Sequence, residues 1–277
     1  MSVKQQELEK SWQQYKTQQR KKNLYYAFLT VLSVVVFLAI WEAVVRFQLV
    51  NVRHLPAPTV IFQTFIEKLH STVPDGNTLG QNVIASLQVS LTGFFFAVLI
   101  GVPLGLLMGW FEPFDSFVRP LFELLRPVPP IAWIPVVVVF LGIGLKAKAT
   151  IIFLTVFVSC VINSYAGIKL TSRTHINLMK TFGAGTWETF FKVGVPSAMP
   201  MVFTGLRVSI GSAWSTLVAA EMLAAKAGLG YMLQVGRGVG DARIVVLAMV
   251  TIAALGATLS ALLNTLEAHT LKWKEMR

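Results

Sequence analysis

The sequence predicts an all-α protein that crosses a membrane six times, and three observations carry that reading. Of the 277 residues, 55% are hydrophobic and 13% charged, and the mean hydropathy is +0.65, whereas soluble domains average about 25% charged residues. Apolar stretches of the roughly 20 residues needed to span lipid recur near 24–45, 82–109, 114–142, 148–168, 199–224 and 243–267. Basic residues are distributed unevenly among the segments that join them.

The first 23 residues are polar and rich in Gln and Lys, and read as a solvated or lipid-skimming tail. No small-residue cleavage site follows the first apolar run, so a removed secretory signal is not expected and the first span anchors the chain. Residues 48–81 form the longest outer connection. There Pro56-Ala57-Pro58 leads into Val60, Ile61, Phe62, Phe65, Ile66 and Leu69, the pattern of a short surface helix.

The third span contains Pro127, Pro129, Pro130 and Pro135 where an unbroken helix would run. Proline removes a backbone donor, and unpaired backbone is tolerated at membrane depth only inside protein or beside water, so this span is expected to face the bundle interior. Arg126 either marks an anion route or ends an interfacial helix over 114–126, snorkelling or pairing with Glu123. In the fourth span the lone Cys160 excludes an internal disulfide and reads as a small packing residue.

Thr171–Pro200 is polar and helix-like between two apolar spans. Ile176, Met179 and Phe182 recur every three residues, Gly183-Ala184-Gly185 interrupts, and Trp187, Phe190 and Phe191 resume. Thr186 is expected to cap the second turn, with Glu188 favourable near its positive end. The segment is either an interfacial loop on lipid head groups or a grip for a soluble partner.

The fifth span carries Gly205, Ser209, Ser212 and Thr216 on one helical face, and the sixth repeats the pattern with Gly256, Ser260 and Asn264. Such stripes serve close helix packing or line a pore, packing being the commoner use. Between them, Glu221 and Gly228-Leu229-Gly230-Tyr231 sit toward the outer side.

Six crossings put both termini on one side of the membrane. With the termini inside, the inner segments hold Lys4, Lys10, Lys16, Arg20, Lys21, Lys22, Lys169, Arg173, Lys180, Lys192, Lys272, Lys274 and Arg277, against Arg53, Lys68, Lys146, Lys148, Lys226, Arg237 and Arg243 outside. The positive-inside bias therefore places both termini and residues 171–200 in the cytoplasm. A basic excess of this kind suggests anionic lipid rather than nucleic acid. The scattered His54, His70, His175 and His269 lack metal-ligand spacing, and neither a metal nor another cofactor is assigned. No G-x-x-x-x-G-K-S/T sequence occurs, so ATP hydrolysis is not expected of this chain. No paired catalytic acids are evident, and few acidic residues lie deep in spans, which weakens a proton-coupled carrier.

With these residues in view, Asn177–Pro196 resembles the E-A-A-x3-G-x9-I-x-L-P signature of permeases of ATP-binding-cassette (ABC) importers. Gly183 falls on the glycine and Val193, Val195 and Pro196 on the last positions, while Asn177, Leu178 and Met179 replace the Glu-Ala-Ala opening. Leu55-Pro56-Ala57-Pro58, Arg126–Pro135, Thr204–Arg207, Trp214–Glu221 and Gly228–Tyr231 are similar, in order and spacing, to the nitrate, bicarbonate, taurine and aliphatic sulfonate branch. The resemblance covers most of residues 55–265.

It implies a type I importer permease fold in the inner membrane, without catalysis of its own. The implied organisation is a tail at 1–23, a transmembrane domain at 24–268 and a tail at 269–277. The implied partners are two cytoplasmic ATP-binding subunits, a second permease copy, lipid and an extracytoplasmic solute-binding protein. Contact with the ATPases would fall to Asn177, Phe182, Gly183, Gly185, Trp187, Glu188, Phe191 and Pro196. The pathway would draw on Arg126, Trp133, Arg207, Ser212, Trp214 and Glu221. Taurine or another sulfonate is the expected solute, with nitrate or bicarbonate as the alternative. A self-sufficient channel or secondary carrier is the rival from another class.

Overall fold

The computed structural model describes residues 3–50 and 55–271, so Arg53, Lys272, Lys274 and Arg277 lie outside the described residues. Every regular element among the described residues is helical. The contacts divide the chain into two units, up to residue 63 and from residue 64, with the division inside helix α2 (Pro58–His70).

In the first unit, helix α1 (Val3–Arg46) is unbroken, so the polar N-terminal residues continue into the first apolar run. No Gly or Pro precedes Arg46, and nothing there interrupts a helix. Near its end the Glu42 carboxylate accepts from Arg46 Nε at 3.0 Å and from the Thr59 hydroxyl at 3.0 Å.

The second unit contains α3 (Leu79–Trp110), α4 (Glu112–Leu125), α5 (Ile134–Leu141), α6 (Leu145–Lys169), α7 (Arg173–Thr181), α8 (Thr186–Thr189), α9 (Val195–Ala224), α10 (Leu229–Gly238) and α11 (Ala242–Thr270). Across the described residues, 5 helical stretches are long and apolar enough to cross a membrane, and a bent pair brings the number to 6. Helix α3 opens with a capping box in which the Gln81 N–H donates to Thr78 Oγ1 at 3.3 Å and the Thr78 N–H donates to Gln81 Oε1 at 2.8 Å. The core lies between α3, α6 and α9, around Val89, Ala97, Val156, Cys160, Val202 and Ala213. Helices α3 and α6 approach so closely that a Cβ at Gly93 would lie 2.6 Å from the Ala149 carbonyl, and one at Gly109 2.9 Å from Ile168. Glycine at these positions is therefore set by backbone approach.

The third apolar stretch departs from a straight crossing. Its two halves, Glu112–Leu125 and Pro130–Leu141, are bent by 79°, with a short 3₁₀ turn over Pro130–Trp133. The break follows from prolines that supply no N–H to the helical ladder. Within one chain this backbone does not face the interior as the prolines suggested. Residues 127–129 are exposed, as are Val139 and Phe140 on α5, at 81% each. Arg126 follows α4, and its guanidinium stands 3.6 Å from Glu123, the pairing that the sequence reading named beside an anion route.

The fifth stretch starts earlier than expected. Helix α8 passes through one π turn, Phe190–Gly194, directly into α9, forming a continuous helical run over Thr186–Leu223. The Val195 N–H reaches back five residues to the Phe190 carbonyl. Pro196 has no N–H for a regular helical bond, and the wide turn accommodates its arrival. The small-residue stripe of α9 packs: a Cβ at Gly205 would lie 2.5 Å from Asn163, and Ser209 is fully buried with its hydroxyl on the Gly205 carbonyl at 2.7 Å.

Candidate functional site

Residues 171–200 form a helix, a sharp turn and a second helix. Helix α7 ends in a Schellman motif, in which the Ala184 N–H donates to the Met179 carbonyl at 3.0 Å and the Gly183 N–H to the Lys180 carbonyl at 2.9 Å. Gly183 occupies the left-handed position that this motif requires, with φ +78°. The cap of α8 is Gly185 rather than Thr186, which is the first helical residue and makes no side-chain cap. Here Thr189 donates its hydroxyl back to the Gly185 carbonyl at 2.9 Å. Glu188 sits in the first turn, as expected, and its carboxylate accepts from Lys192 Nζ at 2.7 Å.

Among the expected contact residues, Phe182 is 79% exposed, Phe191 62% and Trp187 56%. Asn177 and Gly185 are also on the surface, and Pro196 is half-buried. Phe190, by contrast, is buried, because the π turn that it opens after α8 sets it inward against Trp110, with ring centres 5.6 Å apart. Trp187 keeps one face on Phe111 at 4.7 Å and stacks on Phe191 at 6.0 Å. Phe111 occupies the junction between α3 and α4. An aromatic cluster therefore joins the exposed segment to the end of α3. Sequence reading missed the part played by Trp110 and Phe111, although a Trp-Phe pair at the end of an apolar run was the available sign.

The six residues expected along a pathway are not brought into one site. Arg126 lies beyond α4, and Trp133 packs beside Ile134 and Ile151. Arg207 pairs with Glu267 across α9 and α11. Ser212 donates to the Ser209 carbonyl of its own helix at 3.1 Å. Trp214 is buried, and its Nε1 donates to the Ile252 carbonyl at 2.6 Å, fastening α9 to α11.

Glu221 belongs to a buried polar chain that the sequence did not reveal. Its carboxylate accepts from Ser86 Oγ at 2.8 Å and from the Gly230 N–H at 2.9 Å. Ser86 in turn accepts from the Leu229 N–H at 2.9 Å, and Asn82 Oδ1 accepts from the Gly228 N–H at 2.9 Å. Asn82 donates to Asp75 at 2.7 Å, and Asp75 accepts from the fully buried Lys68 at 2.5 Å. Gly228, at φ +131°, leaves room for the Glu221 carboxylate where a Cβ would strike it. The sign in the sequence was Asn82 and Ser86, polar residues one helical turn apart in an apolar helix.

Residues 101–272 match the family model described as binding-protein-dependent transport system inner membrane component. The chain is 37% identical over 250 residues to the taurine transport system permease protein TauC of Escherichia coli K12, covering 88% of this chain and 89% of that protein. It is 29% identical over 239 residues to the nitrate import permease protein NrtB of Synechocystis, covering 85% and 86%. Among solved structures, a chain of the MetNI methionine ABC transporter in an inward-facing conformation superposes with a TM-score of 0.59 at 19% identity, covering 68% of this chain and 94% of that one. The likeness shows the expected fold, that of a type I ABC importer permease.

Proposed function

We propose that this chain, which belongs to the binding-protein-dependent transport system inner membrane component family and is the permease subunit of an ABC importer, carries a small sulfonate such as taurine. The observation that carries the solute reading is the 37% identity to TauC along 250 residues. Nitrate is the second reading, supported by the likeness to NrtB. ATP-binding subunits and a solute-binding protein come with the family, and hydrolysis belongs to the former.

Residues 171–200 are the coupling segment, with both termini on the same cytoplasmic side. The positive-inside bias supports this orientation. Phe182, Trp187 and Phe191 are the anchors for the ATPase, since a few exposed aromatics of this kind dominate protein interfaces. Asn177, Gly183, Gly185, Glu188 and Pro196 shape their presentation. Motion of the ATPases would reach α9 through the continuous run from Thr186 and reach α3 through Trp187, Phe111 and Trp110. A second permease copy is the partner for the exposed proline-broken stretch and for α5. Arg126, Trp133, Arg207 and Ser212 are the pathway residues that such a dimer would gather, whereas Trp214 and Glu221 hold helices together.

The test is uptake into proteoliposomes containing the full importer and its binding protein. ATP-dependent accumulation of labelled taurine, outcompeted by other sulfonates and not by nitrate, is expected. Nitrate accumulation without taurine uptake overturns the solute assignment. Flux through this chain alone, without ATPases, overturns the coupling assignment.

A further inference from the structure

The first turn of α6 holds a charge that none of the contacts above satisfies. Lys148 is only 7% exposed. Its backbone N–H closes the turn on the Gly144 carbonyl at 3.3 Å, but among the described residues its ammonium makes no hydrogen bond and enters no ion pair. Lysine is almost never buried without a partner, because taking an ammonium out of water is costly. The position adds to that cost. No acidic residue lies in the first turn of α6 and Gly144 at its cap makes no side-chain bond, so a cation sits at the positive end of the helix beside uncapped N–H groups.

The surroundings do not supply the missing acceptor. Glu221 acts on Lys148 electrostatically, yet its carboxylate stands beyond ion-pair distance and already accepts from Ser86 Oγ at 2.8 and 2.9 Å and from the Gly230 N–H at 2.9 Å. Ala147 and Ile151 of α6 and Ala220 of α9 pack into an apolar cluster with Ile134 and Val137. The ammonium is nevertheless open to something outside. Unlike the sealed, unpartnered hydroxyls of Ser164 and Thr171, it keeps accessible surface. Helical side chains lean toward the N-terminus, so that opening lies toward the start of α6, about 30 Å along the helix from Lys169 and the segment 171–200.

We propose that Lys148 and the uncapped start of α6 receive the oxyanion of the transported solute, a sulfonate or nitrate, as it enters the bundle. The assignment rests on the importer reading above and on its orientation, which puts this end of α6 outside. An ammonium and first-turn N–H groups are all donors, so the complementary guest offers several acceptor oxygens and a negative charge. The narrow opening suits a small anion better than a side chain of another protein. An ionisable group kept inside a span at such a cost marks a solute path. The charge of Glu221 nearby keeps the site weak, as a transport site must be if what enters is also to leave.

Thermal unfolding of the purified chain in detergent, with methanesulfonate or nitrate replacing chloride at constant ionic strength, tests this. The wild-type midpoint should rise with the concentration of at least one oxyanion, as binding to the folded state requires. Lys148→Met should lose that response, and in chloride it should melt at the same temperature or higher, because an unpaired buried charge is gone. Lys148→Arg, which keeps the charge, should retain part of the response. In proteoliposomes of the full importer and its binding protein, Lys148→Met should lower uptake of labelled taurine or nitrate at subsaturating solute at least about tenfold, and Lys148→Arg less. No rise for the wild type with either ion overturns the proposal, as does an equal rise in Lys148→Met. A lower midpoint for Lys148→Met in chloride also overturns it, by revealing a structural partner, as does an acid of another subunit paired with Lys148 in the assembled importer. The two readings fail separately. A response to nitrate and none to methanesulfonate overturns the sulfonate reading and keeps Lys148, whereas taurine uptake unchanged by Lys148→Met overturns the role of Lys148 and keeps the sulfonate.

Discussion

The two ends of α3 solve opposite problems with polar groups. Near its start, Asn82 and Ser86 are fully buried and every link from Lys68 to Glu221 is made, with donors and acceptors matched between 2.5 and 2.9 Å. Near its end, about 36 Å away at 1.5 Å per residue between Ser86 and Trp110, Phe182, Trp187 and Phe191 stand exposed, as do Lys169, Arg173 and Lys180, which enter no ion pair among the described residues. A satisfied network fixes an arrangement, because each member left alone costs more than the pair gains. Exposed charges are met by water and fix no arrangement. The contrast separates a clamp, which fixes α3 to the end of α9 and the turn before α10, from an exposed surface over residues 171–200.

The largest expected effect comes from breaking the clamp. Glu221→Ala leaves the Ser86 hydroxyl and the Gly230 N–H buried without an acceptor, at a cost of about 3 kcal/mol. Folded yield and the midpoint of thermal unfolding in detergent should both fall sharply, whereas Glu221→Gln, which retains one acceptor oxygen, should lose less. Equal behaviour of the two variants would show that the carboxylate is not the hub of the network.

The receiving end should respond differently. Trp187→Ala removes a 56%-exposed ring that packs on Phe111 and Phe191, so the fold should survive while association with the ATPase weakens. About 2 kcal/mol, or a factor of roughly 30 in Kd, is expected for an anchor of this kind. Pull-down of the ATPase subunit by the inserted variant measures it. Normal association with lost thermal stability would reassign Trp187 to the core, where Phe190 already lies.

The fold class was legible because hydropathy reads length and composition, the properties that a membrane selects. The helix, turn and helix over residues 171–200 were legible because Gly183 and the aromatics around it form a local pattern. The inward turn of Phe190 was not, since Phe190 and Phe191 are adjacent and only the packing of Trp110 decides which one faces in. The Lys68–Glu221 chain was not legible either. Ser86 and Glu221 are separated by 135 residues, and no local periodicity marks the pairing of residues so far apart. The bend in the third stretch followed from its prolines, whereas its outward exposure did not, because a proline marks where a helix breaks and not the side on which the break lies.

Two left-handed glycines sharpen the comparison at its smallest scale. Gly228, at φ +131°, stands against the Glu221 carboxylate, so a side chain there is refused by both backbone and space. Gly183, at φ +78°, has no atom within 4 Å of where a Cβ would lie. Crowding within the chain is therefore not the reason for glycine at 183, and the chain itself imposes only a backbone cost of about 1–2 kcal/mol for an alanine in the left-handed region. Gly183→Ala should leave insertion normal and reduce ATP-driven uptake by no more than about tenfold, the equivalent of 1.4 kcal/mol. Gly183→Asn should lose less, because asparagine enters that region more readily. Gly183→Asp combines a tolerated backbone with a new negative charge, so a loss well beyond that of Gly183→Asn would locate the requirement in charge against the ATPase rather than in the turn. If all three variants abolish uptake with the protein still inserted, the turn is not merely shaped by Gly183: the glycine itself must lie against the partner.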